Sequence, residues 1–168
     1  MLPDDQLADT RELHLAWLEY YRQTVVRKLE GLSDAELRSS RLPSGWSPLE
    51  LLKHLVFMER RWLRWGYTAE PVDRPWGDSG GVDDAPWQLD PEDTLAGLID
   101  QLRSGGQRTR EIVAGAELAS KGAVGGRFGP DDESPTLNWI LFHVLQEYAR
   151  HIGQLDIARE LADGVTGE

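Results

Sequence analysis

The sequence predicts an all-α four-helix bundle, and three observations carry that expectation. Four stretches, opening near Asp4, Ser47, Asp90 and Ser134, repeat apolar residues at three- and four-residue steps, the spacing of one buried helical face. Three of them open on a capping residue followed by proline: Ser47-Pro48, Asp90-Pro91 and Ser134-Pro135. No stretch carries a credible strand pattern. Four long helices without strands pack as a bundle, and 168 residues suffice for one domain, 1–168, with a sizeable core.

The first long helix is expected over 4–30. Leu7, Arg11, His14, Leu18, Tyr21, Val25 and Leu29 form one stripe, and Gly31 is a plausible stop. Ser33 and Glu36 have capping-box spacing for a short helical turn. The second long helix runs from Ser47 to Gly66. Ser47, Pro48 and Glu50 form its start, and Leu51, Leu55, Met58, Trp62 and Trp65 its apolar face, with His54 inside that arc.

Residues 67–89 have no helical period. They are rich in Gly, Pro and Asp, and they carry Trp76 and Trp87. So long a connection is either a lid over a site or a crossover whose tryptophans tuck onto the bundle. The third long helix opens at Asp90-Pro91, with Leu95, Leu98, Leu102, Thr109, Ile112 and Val113 facing inward. Gly105 and Gly106 interrupt it, which points to a kink or a close helix approach. Gly122, Gly125, Gly126 and Gly129 lack the strand and helix of a phosphate loop and read as a linker.

The fourth long helix, 134–162, is the one around which the chain is organised. Leu137, Ile140, Leu141, Val144, Tyr148, Leu155 and Ala158 make its buried stripe. Inside that stripe lie a carboxylate and an imidazole, Glu147 and His151, about 40° apart around the axis. A buried carboxylate needs a partner. Two partners fit: a metal ion shared with His54, or a Glu147–His151 hydrogen bond that fixes helix register. His54, Glu147 and His151 would suit zinc, nickel or iron and leave a position open, as catalytic sites do. A di-iron centre would want Glu-x-x-His on two helices, one residue shorter than the spacing here. His14 is expected at the core edge and His143 beside the site or at the surface. Glu50 is expected to cap its helix, and Gln154 to orient a ligand or a bound water.

The ligand levels also constrain the topology. His54 lies about 10 Å and His151 about 25 Å from the start of its helix. Aligned parallel helices would separate them by about 15 Å, too far for one ion, whereas antiparallel helices bring them together. An up-down-down-up order satisfies this, with the long connection between the second and third helices as the crossover.

At these residues a family resemblance emerges. The histidine of LLKHL, the surrounding PSGWSPLELLKHLVFMERRW and the segment ARHIGQLDIARE resemble the DinB/YfiT superfamily of metal-dependent four-helix bundles, over nearly the whole chain. Many relatives carry histidine four residues before the H-x-G-Q histidine; here that residue is Glu147. The departure resembles the actinobacterial branch related to the metal domain of mycothiol-dependent maleylpyruvate isomerase, where two histidines and one glutamate bind zinc. The resemblance implies His54, Glu147 and His151 as ligands and the up-down-down-up order. The isomerase's additional C-terminal domain has no counterpart in these 168 residues, which sets that particular reaction apart.

The bulk composition narrows the function further. The net charge of −11 disfavours nucleic-acid backbones and anionic lipid. No apolar run is long enough to span a bilayer and no secretory signal is visible, so a cytoplasmic location is expected. There is no cysteine, so thiol chemistry requires an external thiol. The leading expectation is therefore a metal-dependent transferase using a low-molecular-weight thiol, mycothiol, on a small electrophile. A hydrolase that activates water and a non-catalytic metal- or ligand-binding stress protein are the alternatives. The substrate is open, and the oligomer, with a homodimer in view, is open too.

Overall fold

In the computed structural model, which describes residues 2–81 and 85–166, the architecture is helical. The elements are α1 (Thr10–Leu29), α2 (Asp34–Arg38), α3 (Pro48–Arg60), α4 (Leu95–Ala114) and α5 (Leu137–Asp163). Helix α3 runs on as a π-helical turn, Arg61–Tyr67. Among the described residues the only β pairing is two isolated bridges, Lys121 with Thr136 and Val124 with Phe128. No helix among them is long and apolar enough to cross a membrane.

The core lies between the four long helices. Leu18, Val25 and Leu29 of α1 meet Leu51, Leu52 and Leu55 of α3, Leu98, Leu102 and Val113 of α4, and Leu137, Ile140, Leu141, Val144 and Leu155 of α5. Nearly all the apolar positions expected on these faces are inside. Leu7 precedes α1, and Trp62 and Trp65 fall on the π turn, where they are half-buried. α5 packs against α1 and α3, and α4 packs against the same two. Contacts between helices fix the register. His14 meets Asn138, and Lys28 pairs with Asp156, across α1 and α5. Glu59 meets Tyr148, and Trp62 meets His143, across α3 and α5.

Three helix starts differ from expectation, each because another side chain reaches the free N–H groups. α1 starts at Thr10, where Asp9 accepts from Glu12 N at 2.9 Å. α4 is capped by Thr94, at 3.1 Å from Gly97 N, because Asp90 is engaged elsewhere with Lys53 and Arg74. α5 is capped by Thr136, at 3.3 Å from Trp139 N. Ser134 and Pro135 instead lie in an extended segment, whose Pro135 carbonyl accepts from Gly122 N at 3.0 Å. The capping boxes Ser33–Glu36 and Ser47–Glu50 form as the sequence expects.

One polar knot ties all four long helices together. Buried Glu59 of α3 accepts from Arg22 Nη2 of α1 at 2.5 Å, from Thr109 Oγ1 of α4 at 2.5 Å and from Tyr148 OH of α5 at 2.7 Å. Gly106 lies against this knot. A Cβ there would stand 2.8 Å from Arg22 Nε, so the glycine marks a close approach in a continuous α4 and not a kink. The glycine-rich stretch after α4 is a packed segment and not a loose linker. Arg127 N donates to Trp65 O at 3.1 Å, and a Cβ on Gly126 would sit 2.0 Å from that same carbonyl.

The connection from α3 to α4 is longer than the sequence suggested and, where described, is held to the bundle. Buried Arg61 of the π turn clasps Asp78. Buried Lys53 reaches Asp90 at 3.0 Å and Asp93 at 2.7 Å. Trp76 lies on the Arg61 guanidinium at 4.3 Å and Trp87 on the His54 ring. Residues 82–84 of the expected loop lie outside the described residues.

Candidate metal centre

Helix α3 brings His54, and α5 brings Glu147 and His151, one turn apart, to a common point. One donor atom of each lies within 4.8 Å of the other two. The His54 and His151 rings meet edge to face with centroids 4.9 Å apart.

The two imidazoles are oriented from behind. His54 Nδ1 stands 3.0 Å from Asp78 Oδ2, so its N–H donates there and Nε2 keeps the lone pair. Asp78, almost fully buried, is held in turn by Arg61, with Nη1 at 2.5 Å and Nη2 at 3.1 Å. His151 Nδ1 stands 2.8 Å from Gln154 Oε1, which takes the other N–H, and His151 Nε2 faces Glu147 Oε2 at 3.1 Å. That last pair opposes two lone-pair donors. A cation between them, a proton or a metal ion, turns the repulsion into attraction. Two imidazoles, each backed by a hydrogen bond, and one carboxylate form a donor set that fits a divalent ion.

The electrostatics favour ligation near neutral pH. Burial pushes the His54 pKa down, so the ring is neutral and able to bind an ion. Contact with the His151 ring, working against burial, holds the Glu147 pKa below the usual carboxylate range. Burial opposes ionisation of Asp78, but the hydrogen bonds and charge of His54 and Arg61 outweigh it and keep Asp78 anionic.

Aromatic rings flank the trio on both sides. Trp87 stacks on His54 at 4.4 Å and 20° and meets His151 edge-on at 5.3 Å. On the opposite side His143 Nε2 lies 3.8 Å from Glu147 Oε1. Trp139 stacks on His143 at 5.2 Å and 5°, and Trp62 lies 4.4 Å from it. Trp139 keeps 51% of its surface exposed, an open apolar face beside the donors.

The structure brings together the three residues expected as ligands, with Gln154 and His143 beside them, and leaves His14 and Glu50 apart. His14 pairs with Asn138 Oδ1 at 3.1 Å, outside the trio. Glu50 caps Ser47 N at 2.7 Å. Gln154 Oε1 stands 2.8 Å from His151 Nδ1, the position from which it would orient that ring if His151 is a ligand. Asp78, Arg61 and Trp87 were not foreseen as site residues. Asp78 sits in a stretch with no periodicity, and nothing local marks it as the partner of a histidine 24 residues earlier.

A family model described as Mycothiol-S-transferase matches residues 13–164. The chain belongs to the Mycothiol-S-transferase family. No curated protein matches it as a relative. Membership makes mycothiol-related transfer the activity of the family to which this chain belongs, in agreement with the DinB/YfiT-like resemblance. The matched span includes the trio, Asp78, Arg61 and both aromatic flanks, so the Mycothiol-S-transferase match covers the whole site described above.

Proposed function

We propose that this chain is a metal-dependent transferase that adds the sulfur of mycothiol to a small electrophile, with His54, Glu147 and His151 as metal ligands. The carrying observation is the convergence of the three donors, with both imidazoles fixed from behind by Asp78 and Gln154. His54, Glu147 and His151 would hold a divalent ion, zinc first and nickel or iron as alternatives, which would supply Lewis acidity to lower the pKa of the cosubstrate thiol. Three protein donors leave a position for substrate.

The chain's own groups do the rest. Asp78 and Gln154 keep one nitrogen of each histidine free to ligate, and Trp87 covers the His54 ring. Trp139, His143 and Trp62 form an apolar wall on the Glu147 side, against which an uncharged electrophile can lie. The thiol proton passes to solvent, and the sulfur forms the new bond to the electrophilic carbon. The electron pair of the bond broken at that carbon leaves with the displaced group or, in an addition, moves to the neighbouring atom, which takes a proton from solvent. With no cysteine in the chain, the nucleophile comes from the cosubstrate.

The up-down-down-up order belongs to the same proposal. It is supported by residue numbers that rise together across α1 and α5, and that rise on α3 as they fall on α5. The chain is proposed to act as one domain. The cytoplasm is the proposed setting and a homodimer the proposed oligomer, for an acidic chain whose described helices do not suit a membrane.

Cobalt substitution tests the reading. Added mycothiol is expected to produce a sulfur-to-metal charge-transfer band and to release a proton, because a metal binds thiolate. Glu147→Gln keeps the shape, removes the anionic donor and is expected to weaken metal binding strongly. Bound cobalt with no band at saturating mycothiol overturns the transferase in favour of water activation. Unchanged metal affinity in Glu147→Gln removes Glu147 from the shell.

A further inference from the structure

Trp87, which stacks on His54, also lines a cavity of about 490 Å3 whose lining includes none of the three donors. Ser44, Gly45, Trp46, Glu50, Pro86 and Trp87 line it. Its volume is that of a small-molecule site. Two indoles form its walls, with Trp46 and Trp87 6.1 Å apart and tilted by 57°. Among the described residues its only charged lining group is Glu50, one turn before His54 on α3. Glu50 spends Oε2 on Ser47, at 2.7 Å from N and 2.8 Å from Oγ. Among the described residues Oε1 has no protein donor, so it is spare as an acceptor.

We propose that this cavity binds the uncharged polyhydroxy portion of the thiol cosubstrate, stacked on Trp46 and Trp87 and hydrogen-bonded to Glu50. The inference rests on the transferase reading above for the thiol's place beside the donor trio. Indole faces accept the C–H patches of a pyranose or cyclitol ring, and a carboxylate accepts from neighbouring hydroxyls. A lone carboxylate in a partly desolvated cavity repels anions, so carboxylate-bearing thiols are excluded by the same group. The distances agree. In mycothiol five bonds separate the sulfur from the sugar ring, roughly 6 Å when extended. Trp87 lies 4.4 Å from the His54 ring and 5.3 Å from that of His151, and Trp46 stands 6.1 Å from Trp87. A sulfur among the donors thus puts the sugar at the Trp87 edge of the cavity and the cyclitol toward Trp46.

Calorimetric titration of zinc-loaded protein tests this with three thiols: mycothiol, neutral N-acetylcysteine methylamide, and glutathione with its two carboxylates. Mycothiol is expected to bind about 30-fold more tightly than the truncated thiol, a difference of about 2 kcal/mol. Ser44→Phe fills the cavity from an exposed position, and Trp46→Ala removes one wall. Each is expected to reduce the preference to within about 3-fold while leaving truncated-thiol binding unchanged. Glu50→Gln retains a capping acceptor and is expected to narrow the gap between mycothiol and glutathione. Trp46 also packs on the core edge, so Ser44→Phe keeps the test decisive if Trp46→Ala unfolds. An analogue of mycothiol with alanine in place of cysteine is expected to quench tryptophan fluorescence in metal-free wild type and not in Ser44→Phe. A wild-type affinity equal for mycothiol and the truncated thiol, or a 30-fold preference that survives Ser44→Phe, overturns the proposal. Cavity-dependent binding of the alanine analogue, with no cobalt–sulfur band for any thiol, would sink the transferase reading and leave the polyol site standing. The band with equal affinities would do the reverse.

Discussion

Asp78→Asn perturbs the fold and the proposed metal site by separable amounts. In the folded protein Asp78 accepts from both sides: His54 at 3.0 Å, and Arg61 at 2.5 and 3.1 Å. Asparagine keeps the volume but offers one carbonyl where two oxygens served. Arg61, only 4% exposed, then holds a buried charge without its counter-ion. Breaking such a pair from one side costs about 3–5 kcal/mol. Removal of the group that fixes a ligating histidine typically costs 10–100-fold in metal affinity, about 1.4–2.7 kcal/mol.

The two effects part company in the double variant Arg61→Met/Asp78→Asn. Removing the cation as well abolishes the unpaired charge, so most of the stability is expected to return. The His54 tautomer remains unset, so metal affinity is expected to stay 10–100-fold low. Urea unfolding of the metal-free proteins measures the first effect, and competition against a chromogenic chelator the second. If Asp78→Asn loses stability while its metal affinity stays within 3-fold of wild type, Asp78 is a loop anchor only. Parallel recovery of both quantities in the double variant would refute the reasoning in another way, because it would place the metal effect in the loop and not in the tautomer.

Further outcomes follow from the core. Burial alone would disfavour ionised Glu59, but Arg22, Thr109 and Tyr148 hold its pKa below the usual range. The resulting stability is complete above the unfolded carboxylate value of about 4.3 and is lost as pH falls through the depressed folded value. Urea midpoints of wild type should thus drop more steeply below pH ~4.3 than those of Arg22→Met/Glu59→Gln, and parallel profiles would contradict the knot. Gly106→Ala gains about 1 kcal/mol of helix propensity yet should destabilise by about 1–3 kcal/mol net, because its Cβ meets the pinned Arg22; a raised Tm would show that Arg22 moves freely. His14→Gln should leave metal content intact by elemental analysis, since His14 serves Asn138, and loss of metal from a folded protein would show that the donor set is drawn wrongly.

What the sequence reveals here is what local spacing encodes. Capping boxes at Ser33–Glu36 and Ser47–Glu50 are contacts between residues three apart, and both form. Glu147 and His151 are one turn apart on a helix whose period is plain, so their shared direction can be read. The helix starts mislead because several oxygens compete for the same N–H groups. Asp90 looks like a cap, but tertiary partners take it, and Thr94 does the capping. Asp78 is illegible for a different reason. A loop residue has no period to place it, and its value arises only when Arg61 and His54 stand opposite. Trp87 is half legible: one expectation for the loop had its tryptophans tucked onto the bundle, but nothing in the sequence says that this one would stack on a proposed ligand.

Three of the buried charges that the apolar pattern hides share one helix and its extension. Lys53, Glu59 and Arg61 are each nearly sealed from solvent, and each reaches a different part of the chain. Lys53 takes Asp90 and Asp93 ahead of α4, Glu59 takes Arg22, Thr109 and Tyr148 from the other long helices, and Arg61 takes Asp78 of the crossover. Such pairs add little net stability over apolar packing, yet mispairing any of them leaves a bare charge inside. Between Lys53 and Arg61 sits His54. An imidazole that must meet Glu147 and His151 within 4.8 Å needs its helix fixed both along its axis and about it. Leucine stripes alone tolerate repacking. Three charged side chains with obligatory partners do not, and they confine α3 to the register that places His54 at the donor trio.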